Sequence, residues 1–274
     1  MGTFRLLFFT LLLVASEHAM AQRSQELTLS GGGTSALTDI GPANPLLPKG
    51  SEWTVDYRFQ AHPHYAFHLG YSEGTIRAND AQSTWPERVQ RNISIQTPFQ
   101  SVQARVEVDF FSQRIPSYSF QQTPYLFAGM GLLQFNPQGY DQNTWVDLQP
   151  LGTEGQGTSF NPEARYSRRA RTLPFGLGWR AQLSALWVIH AEATWTLTST
   201  DYLDDTHGVY ADPTVVQESY GDAAVFFADP SGRNLPIGMA RGNAQTNDAY
   251  FQLQAGIGLH LEAFMEQCSS FLHR

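Results

Sequence analysis

From Trp187 to Thr198 the chain alternates. Odd positions carry Trp187, Ile189, Ala191, Ala193, Trp195 and Leu197; even positions carry Val188, His190, Glu192, Thr194, Thr196 and Thr198. A period of two puts successive side chains on opposite faces of an extended strand, so this segment has one apolar and one largely polar face. The last segment repeats the pattern, with Ala249, Phe251, Leu253, Ala255, Ile257, Leu259, Leu261 and Ala263 against Tyr250, Gln252, Gln254, Gly256, Gly258, His260 and Glu262. A helical period of 3.6 cannot hold such a division over this length.

Further segments follow the same rule. Leu173, Phe175, Leu177, Trp179, Ala181 and Leu183 alternate with Thr172, Gly176, Gly178, Arg180 and Gln182; Val102 to Phe110 alternate with Gln103, Arg105, Glu107 and Asp109. Trp53, Val55, Tyr57 and Phe59 face away from Thr54, Asp56, Arg58 and Gln60, and Tyr65, Phe67, Leu69 and Tyr71 resume after a turn. Leu27 to Thr38 and Thr123 to Asn136 complete a set of eight strands. At Thr97-Pro98-Phe99 the apolar period slips and a proline removes a ladder donor, which predicts a strand irregularity or bulge. The connections alternate between short (Ala61–His64, Ser112–Gln122, Ser184–Leu186) and long (Asp39–Glu52, Ala78–Arg91, Pro137–Arg169, Thr200–Thr246). An even strand count, with short turns at one end and long loops at the other, predicts an all-β fold: a closed eight-stranded antiparallel transmembrane β-barrel.

A soluble sandwich or lipocalin-like barrel also alternates, but its apolar face points inward. The polar parity here carries Arg58, Arg105, Glu107, Asp109, Arg180, Glu192, His260 and Glu262, mixed in sign, together with Gly176, Gly178, Gly256 and Gly258. Small residues and opposite charges suit a narrow lumen filled by ion pairs, leaving the apolar parity for lipid. Gln254-x-Gly256-x-x-Leu259-x-Leu261 has the polar–glycine–apolar spacing of a barrel-assembly signal, with Phe264 closing the strand.

The first residues predict export. Arg5 precedes an apolar run from Leu6 to Ala15, and Ala19-Met20-Ala21 suits cleavage before Gln22. The run is shorter than the ~18–20 residues of a membrane-spanning helix. The expected organisation is a signal peptide over 1–21, an outer-membrane barrel over 22–264 and a short periplasmic tail over 265–274. Both termini of the barrel then lie in the periplasm. Cys268, the one cysteine, excludes an internal disulfide. With a net charge of −8, one lysine (Lys49) and no basic run, nucleic acid is not an expected partner. The expected partners are outer-membrane lipid and, during biogenesis, the barrel-assembly machinery.

Few residues suggest chemistry. Asp201, Asp204, Asp205 and Asp212 follow the seventh strand and could offer oxygen ligands to calcium, but without the spacing of a calcium loop. His62 and His64 flank Pro63 without further zinc ligands nearby in sequence. Ser199 and His207, near Asp204 and Asp205, could be cast as a hydrolytic set, but no nucleophile motif surrounds them. Gly152, Gly155 and Gly157 lack the lysine of a phosphate loop and read as a structured turn. No catalytic, cofactor or metal residue is assigned. Arg105, Glu107, Arg180 and Glu192 read as a lumen plug rather than an ion path.

Several strings carry a resemblance: Pro124-Tyr125-Leu126-Phe127-Ala128-Gly129-Met130-Gly131, Phe135-Asn136-Pro137, Leu148 to Gly157, Thr200-Asp201-Tyr202-Leu203-Asp204-Asp205, and Arg241-Gly242-Asn243 followed by Asp248-Ala249-Tyr250-Phe251. Together they resemble the PorG-like family of outer-membrane barrels of Bacteroidota, over about residues 27 to 264. The resemblance implies a barrel without a peptidoglycan-binding domain, long loops packed as an extracellular cap, and an accessory role in type IX secretion and gliding, anchoring periplasmic ring proteins. The alternatives are a minimal channel or ligand-binding barrel and, after those, a barrel hydrolase.

Overall fold

The computed structural model describes residues 24–41, 47–112, 120–141 and 143–272. The expected signal peptide lies outside them. Eight long strands form the wall: β1 (Ser24–Leu37), β2 (Gly50–His62), β3 (Tyr65–Asn79), β4 (Ser94–Asp109), β5 (Gln121–Phe135), β8 (Arg169–Gln182), β9 (Trp187–Thr198) and β10 (Ala249–His260). Two short strands, β6 (Gln138–Asp141) and β7 (Thr144–Asp147), make a hairpin beyond the barrel rim, joined to β4 through Ile95 and Gln96. Every wall strand pairs antiparallel with its neighbours in the chain, and β1 pairs with β10. The eight-stranded wall therefore closes without a free edge, and its backbone groups are satisfied within it.

The residue period decides which face is which. Arg58 and Glu107 are 1% and 0% exposed, whereas Leu126, Leu177 and Met130 are 50%, 53% and 69% exposed. Leu126 lies opposite Val108 on one side and Leu177 on the other, and Leu177 lies opposite Ala193, so the outward apolar residues form a continuous band. Tyr65, Phe110, Phe111, Phe120, Trp179 and Trp187 ring the short-turn end with exposed aromatic side chains. Inside, glycine makes room for bulk: a Cβ at Gly178 would lie 2.3 Å from the Tyr125 ring.

The interior changes character along its axis. Below the loops it is polar. At the loop end Ile76, Phe99, Leu133, Phe135 and Tyr250 form an apolar cluster with Leu203 from a loop. A second cluster joins Ile40, Ile93, Ile95, Leu148 and Phe227 above it.

That change corrects the expected strand irregularity or bulge at Thr97-Pro98-Phe99. β4 runs through it in unbroken register, Thr75 opposite Pro98 and Ile76 opposite Thr97. Ile95, Thr97 and Phe99 keep the inward parity of Arg105 and Glu107 and are buried. The hydropathy slips because the interior becomes apolar there; the backbone does not. The C-terminal alternation also runs past the strand it describes. β10 ends at His260, and α4 (Leu261–Leu272) begins, so Phe264 stands on a helix instead of closing the strand.

Candidate functional site

The barrel interior gathers its charges around Glu107. Arg58 Nε donates to Glu107 Oε1 at 2.8 Å, and Arg180 Nη1 donates to the same oxygen at 2.6 Å. His68 Nε2 lies 3.1 Å from Glu107 Oε2, and its Nδ1 lies 2.5 Å from Asp56 Oδ1. Arg105 joins Glu192 at 2.9 Å to Asp56 at 3.1 Å, and the Tyr125 hydroxyl donates to Glu192 at 2.8 Å. Arg58 also reaches Asp109 at 2.9 Å. The guanidinium of Arg105 lies over Phe127 and that of Arg180 over Tyr125. These contacts tie β2, β3, β4, β5, β8 and β9 together across the lumen, in a site where an unpaired charge costs several kcal/mol, ~3–5 by typical measurements.

Nearer the loops, Gln252 and Gln254 each donate to Glu52 at 2.6 Å. The cavity among Asp56, His68, Arg105, His190 and Glu192 measures about 10 Å³. That is room for about one water molecule. A lumen so filled is a packed core with polar contents.

The long loops fold onto the barrel as a cap. Asp205 accepts from Thr153 Oγ1 at 2.5 Å and from the Tyr166 hydroxyl at 2.6 Å. Glu154 Oε1 accepts from the backbone of His207 at 2.9 Å and Gly208 at 3.0 Å, and from Arg241 Nη1 at 3.2 Å. Arg241 also donates to the carbonyls of Asp205 and Phe227. Thr97 Oγ1 donates to the Leu203 carbonyl at 2.6 Å, which fastens the cap to β4. Arg91, on α1 (Pro86–Arg91), spans Asp80 and the carbonyls of Asp39 and Arg241. The strings at 148–157, 200–205 and 241–243, far apart in sequence, thus meet in one structure.

The cap buries carboxylates whose burial outweighs the positive charge beside them. Burial pushes Asp204 up to about 6, with Asp39 adding to it. Burial likewise pushes Asp205 up to about 6 despite Arg241. Asp248 rises to about 10 through burial and the neighbouring Asp204, Asp201 and Asp39. Between the ordinary aspartate value and these raised values, the folded cap holds more protons than an open one. Its stability is therefore greatest in acid and falls as pH rises through about 6 and, by Asp248, on toward about 10. Limited proteolysis of the loops should run slower at pH 5 than at pH 8. Asp248→Asn keeps an oxygen for the Leu203 N–H while removing the titration, and should protect the cap at pH 8 by about 1–3 kcal/mol. Equal cleavage of both proteins at both pH values would contradict this.

The residues considered for chemistry are dispersed. Asp201 pairs with His207 at 2.7 Å, Asp204 accepts from Thr206, Asp205 is held by Thr153 and Tyr166, and Asp212 caps α2 (Pro213–Tyr220) through Thr214. Among the described residues no group of three or more His, Cys, Asp or Glu is arranged to hold a metal ion. Ser199 accepts from the Arg171 N–H at 2.9 Å, while His207 is engaged with Asp201. His64 turns to the Asp109 carbonyl. Gly152, Gly155 and Gly157 adopt positive φ in the loop turn packed against Tyr220 and Ala211.

The inward charges follow the predicted parity: Arg58, Arg105, Glu107, Asp109, Arg180, Glu192 and His260 are all buried. Glu26, Glu52, Asp56 and His68 belong with them and were legible from the same parity on β1, β2 and β3. Tyr125 was not, since an aromatic residue reads as lipid-facing until its partner Glu192 is known.

Several solved structures are similar to the chain at low identity. The N-terminal β-barrel domain of Pseudomonas aeruginosa OprF is similar over 88% of this chain and 100% of its own, at 8% identity and a TM-score of 0.37. Ail, the attachment invasion locus protein of Yersinia pestis, aligns over 88% and 100% at 11% identity and a TM-score of 0.41. Neisserial surface protein A aligns over 88% and 99%, again at 11%, with a TM-score of 0.39. Among curated proteins none matches the chain. A family model does: residues 4–217 match the one described as "Domain of unknown function (DUF6089)", and with most of its length so matched the chain belongs to that family.

Proposed function

We propose that this protein is a non-enzymatic structural barrel of a bacterial outer membrane, with the ends of its barrel facing the periplasm, and that it anchors a periplasmic complex serving type IX secretion. The observation that carries the membrane reading is the inverted polarity of the wall. Charges fill the inside, while Leu29, Phe67, Leu132, Leu173, Leu177 and Ile257 are exposed on the outside. Such a continuous apolar band is expected to associate or aggregate in water and is at rest only in hydrocarbon. The wall strands, 12 to 16 residues long, exceed the ~9–11 needed to cross a bilayer at the usual tilt. Short turns of such barrels face the periplasm, and β1 and β10 have their free ends on that side.

The anchoring role draws on the resemblance of the loop strings and on a lumen too full to conduct. What such a barrel offers a partner is its surface: α4 and the short turns on one side, the cap on the other. Fractionated outer membranes should contain the protein as a band that shifts on boiling. A clean deletion should impair export of type IX cargo. An unshifted band in the soluble fraction would overturn the membrane reading; intact export from the deletion strain would overturn the secretion role alone.

A further inference from the structure

The cap carries a second concavity, of about 190 Å³, between α1 and the loop that follows α3 (Asp222–Ala228). Among the described residues its lining includes four of the chain's sixteen arginines, Arg88, Arg91, Arg233 and Arg241, with Tyr210 and one carboxylate, Glu87. In a chain of net charge −8 this concentration is unusual. Two of the four are structural: Arg91 is paired with Asp80, and Arg241 with Glu154. Among the described residues the other two form no ion pair with an acid. Arg88 donates to the Gly41 carbonyl at 3.2 Å, and Arg233 to Gln90 Oε1 at 2.9 Å. Arg241, 2% exposed, keeps a buried Nε with no hydrogen-bond partner among the described residues. A buried, unanswered N–H on a guanidinium is costly unless an acceptor completes it.

We infer that this pocket binds a phosphate or sulfate ester. The planar guanidinium presents paired N–H donors that match the oxygens of a tetrahedral oxyanion, and Arg88 and Arg233 have donors to spare. They approach from two different loops, α1 and the segment after α3, held in register by the Arg233–Gln90 bond. At about 190 Å³ the cavity has room for one anionic group and a few attached atoms. Glu87 on the wall opposes the anion and sets a ceiling on affinity. The inference is independent of the secretion role, since it uses only the loop geometry.

The test is isothermal titration of glucose 1-phosphate into detergent-folded protein at low salt, with glucose as control. One site is expected for the phosphate ester and none for glucose, with affinity falling as salt rises. Arg88→Gln and Arg233→Gln should each weaken binding about tenfold or more, and Glu87→Gln should strengthen it. Each variant is first required to keep the shift on boiling, so that loss of binding is separated from loss of fold. Absence of binding by the folded wild type, or equal binding by wild type and both arginine variants, overturns the site. Repeating the titration in vesicles with and without a phosphorylated glycolipid identifies the source: suppression by the glycolipid assigns the site to a membrane headgroup, and unchanged binding assigns it to a free solute.

Discussion

Glu107→Ala should lower the unfolding free energy of the membrane-folded barrel by about 3–5 kcal/mol, the largest effect expected of any single substitution in the lumen. Glu107 accepts from Arg58, Arg180 and His68, and its removal leaves two guanidinium groups close together in a site with almost no water. The penalty comes from the abandoned partners more than from the lost bonds. The measurement is the urea midpoint in phospholipid vesicles, read by tryptophan fluorescence. Glu107→Gln should recover a part of the loss, since it can still accept hydrogen bonds, but not all of it. A midpoint unchanged by Glu107→Ala would mean that the three donors are solvated, and the packed lumen would have to be abandoned.

Leu177→Arg tests the other face. Leu177 stands near the middle of the exposed run Leu173, Phe175, Leu177, Trp179, flanked across the sheet by Leu126 and Ala193. An arginine on the lipid face at the bilayer midplane costs roughly 2–4 kcal/mol and progressively less toward the interface. Leu177→Arg should therefore depress the same urea midpoint strongly. Leu173→Arg, closer to the loop end where Arg169 and Arg171 already stand, should depress it less. The depth dependence is what separates a membrane from a soluble wall. Equal small effects at both positions would place Leu177 in water and remove the basis of the membrane reading.

The two substitutions act on opposite consequences of one pattern. On β4, Arg105, Glu107 and Asp109 point inward while Val102, Ala104, Val106 and Val108 point outward, and a shift of one residue would exchange them. Such a shift would put three charges into lipid, so register is enforced by the same alternation that announces the strand.

Alternation is a local property, and the sequence determined by itself what local properties can: eight strands, their order, which end carries the long loops, and which side chains face in. It also placed glycines beside the lumen, where Gly178 admits Tyr125. The tertiary structure decided what depends on distance across the closed sheet. Arg105 finds Glu192, 87 residues away, and Asp56, 49 away, only after the wall has closed. No spacing rule in one strand contains that information. The same holds at the loop end, where Phe99 reads as a fault in the period until Tyr250 and Leu203 surround it. The arginines of the cap pocket lie on segments about 150 residues apart, and Arg91 and Arg241 meet because the loops fold down onto an apolar cluster at the rim. Strand pattern is dictated by the solvent on each face; the pairing of charges is dictated by closure, which brings the far sides of the barrel within hydrogen-bonding reach.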